Sequence, residues 1–527
     1  MQRFDRWYRG LALAAGVVAT AILVASAGAS GARSGGSAAT CKPYGTLSYG
    51  IAGAGITALD PNTIAAAAQW PLNSLVYEGL TTYDQDGNAV PDLATRWKHS
   101  ADDKTWWFFL RRDVHYQDGR PFTSADVVQN ILRVLDPKVP SQARGNIKDI
   151  QSVRAINKYE VRFRLGSPSS ILPDQLFLVR MSDLTHPDQL NTVGLGTGPY
   201  MVSKFEPNQS LILVPSTHYS GPKSQCFAQI AFLREPDPTS MVTDFTAGKL
   251  GMAFNVPISA VPQVNSDKNA YIIQPKAISS LDAWEVDTTS PPFSNPQVRQ
   301  GLSFAIDRDA MVKVALQGQG VPAIGNSLIN EKNPFYNGQL KGYPFDLDKA
   351  KALFQHAGLA PGTTFTYWTQ ANARPEWLTM GEILQQDLQK IGYNLNIVQS
   401  DPSTWLAKFF PNPKQFPGLI VANFLSLQPN PVLGMSFASS NKCECNWNNK
   451  AYDALYFKAL GATDNVTLKK YVNAMQGMFS AAAPVLPIAD ATNIVAVQKG
   501  VQGVWQDPRG NVHMENAYFA NAKGSAK

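Results

Sequence analysis

The chain opens with a cationic stretch, Met1 to Gly10, followed by an unbroken apolar and small-residue run from Leu11 to Ala25. That run is too short to cross a bilayer stably, and the order of charge then apolar residues is that of a secretory signal. Ala25-Ser26-Ala27 supplies the small residues a signal peptidase requires, which predicts a signal peptide over 1–27 and a Gly/Ser/Ala-rich tether over 28–40. An uncleaved anchor is the alternative, and both readings put the body outside the cytoplasm. Beyond residue 40 no stretch approaches the roughly eighteen apolar residues of a membrane span.

Further along, the pattern alternates between periods of two and of about 3.6 residues. Gly45 to Ile51 predicts a first strand, followed by Ala52-Gly53-Ala54-Gly55 and the turn Leu59-Asp60-Pro61. Ala54, Gly55, Ile56 and Thr57 then form a loop whose backbone amides can approach a ligand. Trp106 to Leu110 is a dense aromatic strand. Thr123 opens a helix with Asp126 completing a capping box, its apolar stripe being Val127, Val128, Ile131, Leu132 and Leu135. Tyr159, Val161, Phe163 and Leu165 alternate with Glu160, Arg162 and Arg164, as in a half-buried strand with one wet face. In the second half, Asn295-Pro296 starts a helix over Val298, Leu302, Ala305 and Ile306. Another helix, carrying Leu347, Ala350, Phe354 and Ala357, ends at Gly358. A third, from Trp377 to Ile391, ends at Gly392 and is followed by the strand Asn394 to Val398. Helices that lead directly into strands predict α/β units.

Composition narrows the class. The 527 residues are 44% hydrophobic and 16% charged, an ordinary globular balance with length for two or three domains. The formal net charge is +6, of which the first ten residues hold +2, leaving about +4 spread along the rest. Spread so thinly, it predicts no nucleic-acid partner. The four cysteines, Cys41, Cys226, Cys443 and Cys445, allow three disulfide connectivities in an exported chain. No histidine lies near Cys443 and Cys445, so a metal site is not expected there.

Catalytic patterns are missing. There is no His-Glu-x-x-His, Cys-x-x-Cys, phosphate loop or Gly-x-Ser-x-Gly elbow, and the six histidines never fall at metal-ligand spacing. Gly194-Leu195-Gly196-Thr197-Gly198 is a turn, because Pro199 forbids the helix that would receive a phosphate. These absences argue against an enzyme, a metal and a cofactor. What remains is a set of aromatic residues outside obvious core periodicity, Trp70, Trp284, Trp368, Trp405 and Phe424, of the kind that can line a cleft.

Several segments together resemble the family 5 extracellular solute-binding proteins, the dipeptide, oligopeptide and nickel receptors of ABC importers. They are Val90-Pro-Asp-Leu-Ala-Thr-Arg-Trp97, Asp103-Lys-Thr, Phe109-Leu-Arg-Arg-Asp-Val114, Asp118-Gly-Arg-Pro-Phe-Thr-Ser-Ala-Asp-Val127 and Gly196-Thr-Gly-Pro-Tyr200. Pro291-Pro-Phe-Ser-Asn-Pro-Gln-Val-Arg-Gln-Gly-Leu-Ser-Phe-Ala-Ile-Asp-Arg308 and Ala483-Pro-Val-Leu-Pro487 continue the series in order. The resemblance implies an α/β, two-lobed periplasmic-binding-protein-like fold (type II, large cluster C form) with an inserted α+β subdomain. Lobe I would be discontinuous, from 41–80, 199–285 and 496–527, with the insertion over 81–198 and lobe II over 286–495. On that layout Cys41 pairs with Cys226, and Cys443 is left with Cys445.

In peptide-binding members a far-lobe tryptophan and a later aspartate define the site. Trp405 stands at the tryptophan position, whereas the aspartate position falls on Leu427. A buried ammonium without a carboxylate costs several kcal/mol, so an oligosaccharide or blocked peptide rivals a free peptide as ligand. The expected ligand-binding set is Ala54, Gly55, Ile56, Thr57, Trp284, Trp405, Asn423, Phe424, Leu427 and Gln428. The expected partners are a small-molecule ligand and ABC importer permease subunits, with the receptor a monomer and no nucleic acid bound. A receptor fold that has become an interaction module, and a secreted hydrolase, are the rival classes.

Overall fold

The computed structural model describes residues 41–53, 55–63, 69–141, 143–370, 374–401, 404–405, 408, 416–440, 443 and 445–521. The expected signal peptide, the tether and Ala54 lie outside them.

Alternating apolar positions build the first of two open sheets. In Thr46–Ala52 the residues Leu47, Tyr49 and Ile51 all point into a core. Gly50 lies between them because a Cβ there would come within 2.7 Å of Leu250 Cδ1. This strand runs parallel to both Gln229–Glu235 and Met252–Phe254. The seven-stranded order is Tyr200–Glu206, Ser210–Pro215, Gln229–Glu235, Thr46–Ala52, Met252–Phe254, Val495–Gln498, Ala270–Ile273. A disulfide between Cys41 and Cys226, Cα atoms 5.3 Å apart, ties together the chain segments entering two of these neighbours.

The second sheet has six strands, in the order Val321–Pro322, Val485–Asp490, Ser280–Val286, Leu419–Ser426, Thr364–Gln370, Asn394–Ser400. All seven residues of Ser280–Val286 are buried, as befits a strand covered on both faces. The flanking helices begin and end where their local chemistry directs. Asn295 Oδ1 accepts from the Gln297 N–H at 2.9 Å to start Pro296–Ala305, and Asp346 Oδ1 accepts from the Lys349 N–H at 3.0 Å to start Leu347–His356. Gly358 and Gly392 close their helices at φ +79° and +84°. Val298, Leu302, Phe354 and Leu384 from these helices pack on Val286 and Tyr367. A second disulfide joins Cys443 to Cys445, Cα atoms 5.0 Å apart.

Two stretches of chain pass between the sheets, one from Ala270–Ile273 to Ser280–Val286 and one from Val485–Asp490 to Val495–Gln498. They run side by side: Ser280 Oγ donates to Ala491 O at 2.6 Å, and Ala491 N donates to Ser280 O at 3.2 Å.

A third core forms from the chain between Thr46–Ala52 and Tyr200–Glu206, both strands of the first sheet. Ala94–His99, Thr105–Leu110, Glu160–Leu165 and Ile150–Asn157 make an antiparallel sheet, covered on one face by Ser124–Leu135. The Thr123/Asp126 capping box is present. The stripe is rotated from expectation, however: Val127, Ile131 and Val134 are buried and Leu132 is 53% exposed. A buried polar residue sets that rotation, since Asn130 Nδ2 donates to Ser182 O and its Oδ1 accepts from Ser182 N.

Candidate functional site

Trp70 begins the short helix Trp70–Leu75, which is buried along its whole length. Phe177 lies 5.1 Å from it, ring centre to ring centre, and stacks at 3.9 Å on Tyr83. Two guanidinium groups close on this aromatic group. Arg180 comes from the bridge that Arg180–Met181 makes with Glu78–Gly79, and its Cζ lies 5.2 Å from the Trp70 ring and 5.1 Å from Phe177. Arg509 comes from the turn between Trp505–Gln506 and Val512–His513, with its Cζ 5.6 Å from the Trp70 ring.

The same group touches the second layer. Tyr83 OH donates to Gln428 Oε1 at 3.0 Å, Arg509 Nη2 donates to Ser426 O at 3.3 Å, and Ser426 Oγ donates to Arg509 O at 3.2 Å. Two residues before Ser426, Phe424 carries the Arg374 guanidinium 4.6 Å from its ring centre. Arg374 is held by Asn493 Oδ1 at 2.8 Å and Glu376 at 3.4 Å. The strip from Trp70 to Arg374 therefore follows the junction of the two sheets beside the crossing stretches.

At the junction the carboxylates Glu78, Asp92, Asp507 and Glu515 face the cations Lys223, His513, Arg180 and Arg509, but the hydrogen bonds are unevenly shared. Behind it, buried Glu78 meets Lys223 Nζ at 3.1 Å, and Asp92 meets the same ammonium at 3.0 Å. Burial opposes the Lys223 charge, but Asp92 and Glu78 outweigh it and hold its pKa above the usual lysine range. His513 lies between Glu515 at 3.0 Å and Asp507 at 3.4 Å. Burial works against its charge, yet Glu515 and Asp507 raise its pKa to about 9. Arg180 is 2% exposed, and its nearest carboxylate oxygen, Asp92 Oδ2, is 3.9 Å away. Its Nε and Nη2, the Nε and Nη1 of Arg509, and the indole N–H of Trp70 are buried without an acceptor among the described residues. An unpaired buried donor costs about 1–3 kcal/mol, more when charged, so these five donors, four of them guanidinium N–H groups near one indole, can take up an acceptor such as an anion.

A profile of the bacterial extracellular solute-binding proteins, family 5 (middle region), matches residues 88–441. The chain belongs to this family. Over 361 residues it is 28% identical to the nickel-binding periplasmic protein of Escherichia coli, covering 64% of this chain and 68% of the relative. It is 26% identical to heme-binding protein A of Haemophilus influenzae over 487 residues, 82% of this chain and 85% of that one. Among solved structures, the dipeptide-binding protein of Pseudoalteromonas sp. SM9913 in complex with Met-Leu superposes with a TM-score of 0.80 at 23% identity. That superposition covers 90% of this chain and 100% of the other. The two-lobed receptor fold of the family is thus the fold of this chain.

Within the family fold, the residues expected from sequence scatter. Phe424 and Gln428 lie on the junction. Trp284 does not: it is 1% exposed, packed edge-on against Tyr367 at 5.1 Å in the core of the second layer. Trp405 is 2% exposed among Trp368 and Trp377. Leu427 is buried with Leu281, Val432 and Leu433, and Asn423 Nδ2 donates to Glu285 Oε1 at 2.6 Å. The Gly55 N–H is engaged by Asn208 Oδ1 at 2.9 Å, Ile56 joins the first core, and Thr57 is exposed. A surface hollow of about 570 Å³ beside Val321–Pro322 is lined by Asp309, Val312, Lys313 and Gln317 and gathers no aromatic ring. Sequence reading missed Tyr83, Phe177, Arg180, Arg374 and Arg509. Each lies alone in its local sequence, and only the fold gathers them.

Proposed function

We propose that this chain is an exported, non-catalytic receptor that takes up a small solute between its two lobes and delivers it to the permease of an ABC importer. We further propose that the solute carries a carboxylate, with a short peptide the leading class. The observation that carries the reading is the cradle of unpaired donors from Arg180, Arg509 and Trp70. A guanidinium matches a carboxylate in a bidentate way that a neutral sugar does not reproduce. Trp70, Phe177 and Phe424 supply apolar walls for the rest of the molecule. The nickel-binding and heme-binding names of two relatives indicate that cargo varies within the family. The Met-Leu complex of the similar fold supports a ligand ending in a free carboxylate. Export rests on the order of charge, apolar run and small residues over 1–27; the lobe bounds are proposed with two shifts from the sequence expectation, because Ser280–Val286 lies in the second sheet and Val495–Gln498 lies wholly in the first.

Calorimetry with Met-Leu and its C-terminal amide tests the reading. The free acid should bind at least about tenfold more tightly, as expected for a charged hydrogen-bonded group, and Arg180→Met should erase the difference. Equal affinity for acid and amide would remove the carboxylate from the proposal.

A further inference from the structure

The chain's net charge is not evenly spread in space. Residues 94–165 contain fourteen Lys and Arg against eight Asp and Glu, a local excess of +6 equal to the formal net charge of the whole chain. The four-stranded sheet concentrates part of it. With Trp106, Phe108, Val161 and Phe163 directed into the core, strand alternation sends Arg96, Lys98, Arg154, Arg162 and Arg164 to the opposite face. None of the five forms an ion pair among the described residues, whereas nearby Arg111, Arg120 and Arg133 all do. The one acid of that face, Glu160, accepts from Asn157 Nδ2 at 2.9 Å. Arg154 and Arg162 lie directly opposite each other in the ladder, an arrangement that like charges disfavour.

We propose that this outward face docks the protein on the anionic headgroups of a lipid bilayer. The pattern is two-dimensional: cations on three strands, across a sheet whose four strands span about 15 Å, so a surface of phosphates meets it better than a single extended chain. Partly buried rings lie among the charges rather than beyond them. The Arg96 Cζ is 3.7 Å from the Phe109 ring centre and the Lys98 Nζ is 5.2 Å from Trp107. The cations occupy the ring faces on which nucleic-acid bases would stack, while aromatic rings beside Lys and Arg stems suit a headgroup layer. Tyr159 sits similarly between Arg112 and Lys158, at the rim of a hollow of about 350 Å³. Retention at the membrane also has a use here. Cys41, the first cysteine, is bonded to Cys226 and is not free to carry a lipid chain.

The test is co-sedimentation of the protein, purified from the envelope of an expressing host, with vesicles of equal parts phosphatidylglycerol and phosphatidylcholine or of phosphatidylcholine alone. Low-salt partitioning should favour the anionic vesicles at least about tenfold and fall as salt rises. The triple change Arg154→Ser, Arg162→Ser, Arg164→Ser should lower partitioning at least about tenfold, with circular dichroism and solute binding unchanged. Removing the same charge elsewhere, by Lys341→Ser, Lys351→Ser and Lys458→Ser, should leave partitioning as it was. Indifference of the parent to anionic vesicles, or equal partitioning of parent and arginine variant, overturns the proposal. So does an equal loss in the lysine variant, or arginine-dependent retention of oligothymidylate by a protein that ignores vesicles.

Discussion

His513 illustrates how burial and partners set the chemistry of one side chain. It stacks on Trp505 at 3.9 Å and bridges Glu515 and Asp507. Its pKa rises from 6.5 to about 9, because the two carboxylates outweigh burial. A pKa raised on folding gives stability that is complete below the unfolded value and disappears as pH climbs through the folded one. Glu515 works in the opposite sense: His513 overcomes burial and draws it from 4.5 to about 2, so its contribution is lost as pH falls through that range. The pair therefore stabilises most between about pH 4.5 and 6.5. The melting temperature of the parent should exceed that of His513→Gln by most in this window, with the gap narrowing from pH 6.5 towards 9. A gap independent of pH would show that folding leaves the imidazole pKa unchanged.

At the scale of elements, glycines separate close packing from idle flexibility. In the turn Gly194 to Gly198, a Cβ on Gly196 would come within 2.0 Å of Val76 O, and one on Gly198 within 2.3 Å of Leu75 O. The turn is thus pressed against the end of Trp70–Leu75, the helix that presents Trp70. Gly477, inside the helix Asn465–Ala482, has nothing within 4 Å of its Cβ position. Gly196→Ala should destabilise by about 1–3 kcal/mol through overpacking, and Gly477→Ala should stabilise by about 0.5–1 kcal/mol through helix propensity. Chemical denaturation measures both, and a neutral Gly196→Ala would show that the turn can retreat from the helix. The sequence identified a turn at 194–198 from Pro199; what it pressed against depended on a helix more than a hundred residues earlier.

For the whole molecule, several direct bonds cross the junction, those from Ser170 Oγ to Leu460 O and Ala462 O among them. Tyr83 OH to Gln428 is one, and the two-way Arg509–Ser426 contact is another. A hydrogen bond of this kind contributes about 1 kcal/mol, comparable to the differences that shift an open–closed equilibrium. Tyr83→Phe should therefore enlarge the radius of gyration measured by small-angle scattering while leaving the melting temperature within about 2–4 °C of the parent. An unchanged radius would place the bond outside lobe closure.

Local chemistry was enough to specify strands by alternation, helix starts by Thr123 and Asn295, and helix ends by Gly358 and Gly392, because each depends on residues a few positions apart. The family segments carried the receptor fold for the same reason, being short and in order. Trp284 and Trp405 are enclosed in the second layer, and which layers pack over a strand is information that no window around either residue contains. Trp70 was legible as a cleft aromatic, but the approach of Arg180 and Arg509 to it and the basic sheet face were not. A charge that is dilute along the chain becomes concentrated only when strand register and connection bring distant positions onto one surface.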